Sequence, residues 1–312
     1  MRAHVSAFAP ASVSNVACGF DIMGFALGDA GDTIAVRPTG KKGIHIVSID
    51  GCQGPIPTDP AKNTAGPPVH EVMRRYGYDG GIEVEIHKGL PIGSGIGSSA
   101  ASAVAAAVAA DALLGGTLSK HDLLECSVEG EKIASGALHV DNLAPCLWGG
   151  FVLVRGYDPI DIVPIASPLS LWCAVIVPEV EIRTSESRKL LPKHIPLADV
   201  VAQTGNAAGL IAGLMSGDAG LIRRSLKDRI AEPVRKGLIP GYEKVKAATL
   251  EAGALGCNIS GSGPAIFALC ESKESAGGVA AAMSASLKQE RVTFSVFTSN
   301  IHNSGARVLE AE

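Results

Sequence analysis

Aromatic side chains are scarce in this chain: two Trp, four Tyr and seven Phe amount to 4% of 312 residues. A core of large rings is therefore excluded. With 46% hydrophobic residues and 37 glycines, the interior must be built from small aliphatic side chains in close contact, which suits a mixed α/β protein. Like charges form no run, and 27 basic against 31 acidic residues leave a formal net charge of −4. Nucleic acid drops out as an expected partner, because binding a phosphate backbone needs a clustered basic footprint. The cysteines (Cys18, Cys52, Cys126, Cys146, Cys173, Cys257 and Cys270) are odd in number and form no CxxC pair. They predict free thiols in a reduced cytosolic compartment, and the eight histidines show no zinc-ligand spacing. Long apolar runs are missing too. The N-terminal MRAHVSAFAPAS lacks a signal-peptide core, and the stretch from Ala100 to Leu114 is interrupted by Ser102 and Asp111. The expectation is a soluble cytoplasmic protein with no membrane partner.

What is present is concentrated in residues 89 to 101, GLPIGSGIGSSAA. Gly93, Gly95 and Gly97 remove Cβ from alternate positions, so the backbone can take φ > 0 and turn its N–H groups toward a ligand. Ser98 and Ser99 follow where a helix should begin, and unpaired N–H groups at a helix start favour an anion. The segment reads as a phosphate cradle. Other glycine motifs fit less well. Residues Gly95 to Ala100 formally match the GxGxxG/A dinucleotide fingerprint, yet Pro91 separates strand from glycines and no acidic-ended strand follows at the right distance. No Lys follows the final glycine, which excludes Walker A, and no GxSxG pentapeptide marks a serine hydrolase.

Length allows one large or two ordinary domains. Alternating runs at Thr33 to Arg37 and Ile44 to Ile49 predict hairpin-like strands, and a proline-rich loop follows from Pro55 to Pro60. A helix is expected from Thr64 to Tyr76 with a stop at Gly77, then a half-buried strand from Ile82 to Ile86. Ser99 to Leu114 should form a helix buried all round, ending at Gly115 and Gly116. Ser119 and Asp122 read as a capping box for the next helix. On it Glu131 falls within about 20° of Leu124, on the apolar face, while Glu129 lies about 140° away. An inward carboxylate needs a partner. Strands are expected at Phe151 to Val154 and Leu171 to Val177, with a polar connection from Tyr157 to Pro168 that contains the domain boundary, giving domains 1–167 and 168–312. Helices at Ala198 to Met215, Ala219 to Ile230, Tyr242 to Glu251 and Ser275 to Lys288, and strands at Ala265 to Cys270 and Thr293 to Thr298, complete the chain.

PIGSGIGSSAA resembles the PxxxGLGSSAA phosphate-binding motif of the GHMP kinases, with Ile96 in place of the usual Leu, and NISGSGPAIFAL from Asn258 is similar to that family's C-terminal glycine motif. Further stretches resemble the branch of the family that acts on L-homoserine: APASVSNVACGFDIMGFAL from Ala9, HVDNLAPCLWGG from His139, RTSESRKLLP from Arg183 and AEPVRKGLIPGY from Ala231. The resemblance implies an α+β, two-domain GHMP kinase fold, with a ribosomal protein S5 domain 2-like N-terminal domain and a ferredoxin-like C-terminal domain. It further implies an ATP- and Mg2+-dependent small-molecule kinase of threonine biosynthesis, working by direct in-line transfer.

It also carries roles onto residues. Asn63, Pro91, Ile92, Gly93, Ser94, Gly95, Ile96, Gly97, Ser98 and Ser99 would bind ATP. Asn15, Asp21, Asp141, Asn142, Thr184, Arg188 and Arg235 would bind homoserine, Asp21 and Asn142 at the hydroxyl that is phosphorylated. Ser99 and Glu131 would hold the magnesium ion. Mevalonate-type members use an aspartate near the Asp141–Asn142 pair as base, whereas homoserine-type members carry an asparagine there, here Asn142. Read without the resemblance, Asn15 and Asp21 form a solvated turn, Asp141 and Asn142 a turn before Pro145, and the two arginines a solvated surface. Ser99 reads as a helix cap, Asn63 as a loop cap and Glu131 as a member of an internal hydrogen bond. The chemistry agrees with the family roles all the same. An amino-acid carboxylate calls for a planar guanidinium fork, and magnesium takes one or two protein oxygens. The other classes to weigh are a mevalonate- or diphosphocytidyl-methylerythritol-type kinase and a nucleotide-binding sensor without catalysis. A homodimer is compatible with the chain.

Overall fold

The computed structural model describes residues 1–51, 54–135 and 138–312, with backbone alone at 29, 134 and 135. Cys52 lies outside the described residues; the other six cysteines are free and buried. Burial pushes the Cys18, Cys126, Cys146 and Cys257 thiols up to about 12, so they pack as small apolar groups. Among the described residues no helix is long and apolar enough to cross a membrane.

Strands β1 (Val5–Ser14), β2 (Met23–Thr39) and β3 (Gly43–Asp50) precede helix α1 (Gly66–Tyr76), strand β4 (Gly81–His87) and helices α2 (Ser98–Leu114), α3 (Lys120–Ser135) and α4 (Val140–Trp148). Then come β5 (Phe151–Tyr157), β6 (Ile160–Ile165), β7 (Trp172–Pro178), α5 (Thr184–Lys189), α6 (Leu197–Ser216), α7 (Ala219–Ser225) and the single turn α8 (Glu232–Arg235). Helix α9 (Tyr242–Glu251), β8 (Gly256–Ile259), β9 (Ile266–Cys270), α10 (Lys273–Lys288), β10 (Phe294–Asn300) and β11 (Arg307–Ala311) end the chain. The first sheet runs β11-β1-β2-β4-β3, with β5 and β6 continuing from the first half of β2; the second runs β10-β7-β9-β8 and is antiparallel throughout.

Helix α2 is the hub of the first layer, and 15 of its 17 residues are buried. Its alanines let it touch strands and neighbouring helices at once, so it shows no polar face. Strand β7 explains its own apolar run. Cys173, Val175 and Val177 face the large core together with α2 and β2, whereas Ala174 and Ile176 face a second core with α9 and α10. A sheet covered on both faces needs no polar alternation. Three of the few aromatic rings meet in the large core: Phe25 lies 5.0 Å from Phe151 and 5.8 Å from Phe267.

The expected helices and strands are largely where the sequence put them, with instructive departures. The strands at 33–37 and 44–49 do not form a hairpin. β4 sits between them, antiparallel to β2 and parallel to β3, because its buried Ile82, Val84 and Ile86 suit the interior and the more polar β3 suits the edge. The connection expected from Tyr157 to Pro168 holds a strand, β6, in which Pro164 is tolerated at the sheet's edge. The turn expected before Pro145 is helix α4, whose buried flank outweighs the hydrogen bond that Pro145 cannot donate. The helix expected from Ala219 stops at Ser225. β11, exposed throughout, adds backbone pairing to β1 with no apolar pattern to announce it.

Candidate active site

The glycine loop between β4 and α2 uses the conformation its sequence allows. Gly93, Gly95 and Gly97 have φ of 67°, 80° and 69°, the left-handed region at every second residue. No side chain caps α2 at Gly97, so its first N–H groups are left for an anion. Behind the loop, Ser94 Oγ donates to Pro91 O at 2.7 Å, and Ser12 N donates to Ile96 O at 3.0 Å. The second glycine motif, Asn258 to Pro264, closes over it: Ser260 Oγ donates to Gly95 O at 2.6 Å and Ala265 N to Ser94 O at 3.2 Å. Beneath the first turn of α2 lies a buried ammonium. Lys88 Nζ pairs with Asp32 and donates to Ser98 Oγ at 2.7 Å, Ser102 Oγ at 2.9 Å and Ser98 O at 3.1 Å.

Beyond the loop a chain of polar contacts crosses the cleft. Ser99 Oγ donates to Glu131 Oε2 at 3.2 Å; Glu131 is 4% exposed, on the inward face that its helical phase predicts. Glu131 Oε1 lies 3.2 Å from His139 Nδ1, and Arg188 Nη1 lies 3.2 Å from His139 Nε2. A guanidinium can only donate, so Nε2 accepts and the ring proton sits on Nδ1, toward Glu131. Burial works against the charged imidazole, but the Glu131 hydrogen bond and the Asp141 charge hold its pKa above the ordinary value. Arg188 also reaches both carboxylate oxygens of Asp21.

Asp21 stands on a turn in which Asn15, Val16, Ala17 and Asp21 all have positive φ. Asn15 holds that turn, accepting from Asp21 N and donating to Gly261 O, both at 2.9 Å. Asn142, on α4, is pinned to β1: its side-chain oxygen accepts from Ser12 Oγ and its amide donates to Ser14 Oγ, each at 3.0 Å. Its neighbour Asp141 is buried with Oδ1 unpaired, and burial, reinforced by the Asp21 charge, raises its carboxyl to about 7. Thr184 Oγ1 lies 3.2 Å from Ser262 Oγ at the start of α5. Arg235 is 3% exposed; Nη1 donates to Gly261 O at 3.0 Å, and Nε has no partner.

These groups enclose one cleft of about 410 Å³, a volume suited to a small-molecule site. Of the residues predicted from sequence, Asn15, Asp21, Asn63, Ile92, Gly93, Ser94, Gly95, Gly97, Ser98, Ser99, Glu131, Asp141, Asn142, Thr184, Arg188 and Arg235 line it. Pro91 and Ile96 do not: Pro91 lends its carbonyl to the loop, and Ile96 packs into the core with no exposure. Asn63 lines the cleft while acting as a loop cap, donating to Pro57 O at 2.7 Å and accepting from Ala65 N at 3.0 Å. Sequence reading passed over Lys88, His139 and Ser262, which also line the cleft. His139 stood inside a quoted motif, and Lys88 directly follows the strand that feeds the loop; a lone Lys or His carries no spacing signal. No group of three or more His, Cys, Asp or Glu that could hold a metal ion occurs among the described residues. The hydroxyl and carboxylate of Ser99 and Glu131 are hard oxygen donors, the set magnesium uses when phosphate and water supply the rest.

The chain is similar to known proteins. The profile for the GHMP kinases N terminal domain matches residues 63–150, and that for the GHMP kinases C terminal matches residues 210–289. Homoserine kinase of Chlorobium phaeobacteroides is 44% identical, over 98% of this chain and 99% of its own. That of Chloroherpeton thalassium is 44% identical over 98% and 99%. The crystal structure of homoserine kinase from Cytophaga hutchinsonii superposes with a TM-score of 0.95 at 47% identity, covering 99% of this chain and 98% of that one. With both glycine motifs on one cleft, both family profiles matched and full-length likeness in sequence and structure, the chain belongs to the GHMP kinase family.

Proposed function

We propose that this protein is a homoserine kinase, transferring the γ-phosphoryl group of ATP to the side-chain hydroxyl of L-homoserine to give O-phospho-L-homoserine for threonine biosynthesis. The observation that carries the reading is one cleft lined both by a backbone anion cradle and by two guanidinium groups, Arg188 and Arg235. The near-full-length likeness to homoserine kinases supports it. ATP phosphates lie on the loop from Gly93 to Ser99, with the nucleoside toward Asn63. The amino-acid carboxylate is taken by Arg188 and Arg235, a fork geometry a carboxylate matches. Asp21, Asn15 and Thr184 complete that end.

The homoserine hydroxyl lies beside Asn142, which its two serine partners hold immobile against the loop. A Cβ at Gly97 would stand 3.1 Å from Asn142 Oδ1, so the acceptor end and the phosphate cradle adjoin. In the transfer, the hydroxyl oxygen bonds to the γ-phosphorus, the bond to the ADP oxygen breaks, and the hydroxyl proton passes to a phosphate oxygen and on to water. Asp141, whose Oδ1 is unpaired, takes a hydrogen bond from the substrate. Positioning and charge neutralisation supply the rate, as befits phosphoryl transfer. Ser99 and Glu131 are the residues that would hold Mg2+, which neutralises phosphate charge when bound. The reading keeps the cytoplasm as location and residues 1–167 and 168–312 as the two domains.

A coupled assay of ADP release, with Mg2+ and a panel of alcohols, tests it. L-homoserine should turn over and yield O-phospho-L-homoserine, while mevalonate, galactose and diphosphocytidyl-methylerythritol should not. Preference for another alcohol would move the protein to a different branch of the family, and nucleotide binding without turnover of any alcohol would make it a sensor.

A further inference from the structure

The arginine end of the cleft poses an electrostatic problem. Arg235 is a buried cation that, among the described residues, enters no ion pair; it makes one hydrogen bond to a carbonyl and leaves Nε unpaired. Burial lowers the Arg235 pKa and the Arg188 charge adds to that, while the charges of Asp21, Asp228 and Asp141, none of them ion-paired with it among the described residues, work the other way. Such a group needs compensation from a neighbour. A protein carboxylate would supply it, but would also occupy the N–H donors that a substrate carboxylate requires. An aromatic face compensates the charge without using those donors, because the ring quadrupole attracts the guanidinium itself.

Phe20 occupies that position. Its ring centroid lies 5.2 Å from Arg235 Cζ and 5.8 Å from Arg188 Cζ, so a single ring serves both guanidinium groups. The turn that carries it is fixed on every side. Gly19 O accepts from Ile22 N and Met23 N, both at 2.9 Å, and Tyr157 donates to Asp21 O. Gln203 donates to Cys18 O at 2.9 Å and to Asp228 Oδ1 at 3.3 Å. Asp228 in turn accepts from the N–H groups of Ile230, Ala231 and Glu232 at 2.8, 3.0 and 2.8 Å, at the entry to the helical turn bearing Arg235. The ring's turn and the turn bearing Arg235 are thus tied to one another through the Gln203 and Asp228 side chains as well as through the cation–π contact.

We infer that Phe20 is a positioning residue that sets substrate specificity: its ring holds Arg235 beside the Asp21-paired Arg188 so that Arg235, whose Nε is unpaired, keeps donors free for the α-carboxylate of an amino-acid substrate. The inference rests on the homoserine reading, so wild-type turnover of homoserine is measured first; its failure sinks that reading and leaves Phe20 aside. The decisive experiment replaces Phe20 with phenylalanine analogues carrying one, two and three ring fluorines, which keep the ring's shape while draining its negative face. KM for homoserine should rise stepwise, reaching about tenfold at three fluorines, with KM for ATP and the melting temperature nearly constant. Phe20→Leu should show the same selective rise, and Phe20→Tyr should restore the wild-type value. Discrimination of homoserine against 3-aminopropan-1-ol, which lacks the carboxylate, should narrow in parallel. A KM for homoserine indifferent to fluorination, or one that rises only together with the KM for ATP, overturns the inference.

Discussion

Glu131 Oε2 accepts the Ser99 hydroxyl at 3.2 Å, joining the first turn of α2 to the inward face of α3. Two oxygens of different elements are thereby aimed at one point beside the phosphate loop. Glu131→Gln keeps the shape and removes the charge, so kcat should fall on the order of a thousandfold while the melting temperature changes little. Half-saturation by Mg2+ should move to higher concentration. Glu129, two residues earlier on the exposed face and paired with Lys132, provides the control, and Glu129→Gln should leave both quantities within error. Equal losses at the two positions would remove the metal assignment.

Asp141 gives the site a pH signature in stability. Its folded-state pKa of about 7 lies above the ordinary 3.8, raised by burial first and then by the Asp21 charge. The folded protein therefore keeps a proton that the unfolded chain has lost, and stability falls as pH rises between about 4 and 7. His139, also raised, contributes in the same direction, since its charged form is stabilised below its folded value and that gain disappears above it. Asp141→Asn should melt higher than wild type at pH 8, by a margin on the order of 2–4 kcal/mol, and no higher at pH 4. Thermal melts of both proteins across that range check it. A constant difference at every pH would show that the carboxyl does not titrate with folding.

The shape of the glycine loop was legible because its requirement is chemical and local: alternate glycines allow left-handed φ, and a helix must start after them. Glu131 was legible because helical phase alone turns it inward. The surroundings were less so. Lys88 is one residue past a strand end, and only its fold places Asp32, Ser98 and Ser102 around its ammonium. α4 was hidden by Pro145, whose cost is outweighed by tertiary packing that no window of sequence displays. β3 was assigned the wrong neighbour because a short glycine-flanked turn signals a hairpin, whereas strand order is decided by which face each strand can bury. Asp21 and Arg188, 167 positions apart, could be chosen as site residues by motif, but their pairing belongs to the folded chain.

Arg235→Lys tests the shape requirement at the carboxylate end. Lysine keeps the charge but offers a point donor in place of a planar fork, and it stacks less well on Phe20. The loss should appear as a raised KM for homoserine worth about 1.5–3 kcal/mol, with KM for ATP nearly unchanged. Steady-state kinetics against both substrates separate the outcomes. A mutant that weakens ATP and spares homoserine would place Arg235 at the nucleotide end and reverse the orientation of the acceptor.

Lys88 and Asp32 should behave as one unit. Both side chains are almost wholly buried, and the ammonium also holds the hydroxyl and carbonyl of Ser98, the first residue of the helix whose start is proposed to receive phosphate. Lys88→Met strands the Asp32 carboxylate without its cation, a change that costs about 3–5 kcal/mol in buried pairs. Lys88→Met combined with Asp32→Asn removes both charges and should recover at least about half of that loss, a coupling read directly from denaturant unfolding of the four proteins in the cycle. Stability and activity should then part company. The recovered double mutant still lacks the ammonium that fixes Ser98, so its KM for ATP should stay raised about tenfold while its KM for homoserine matches wild type. Additive losses in stability would mean that the pair is not coupled, and a double mutant with normal KM for ATP would make Lys88 a core residue with no part in shaping the phosphate loop.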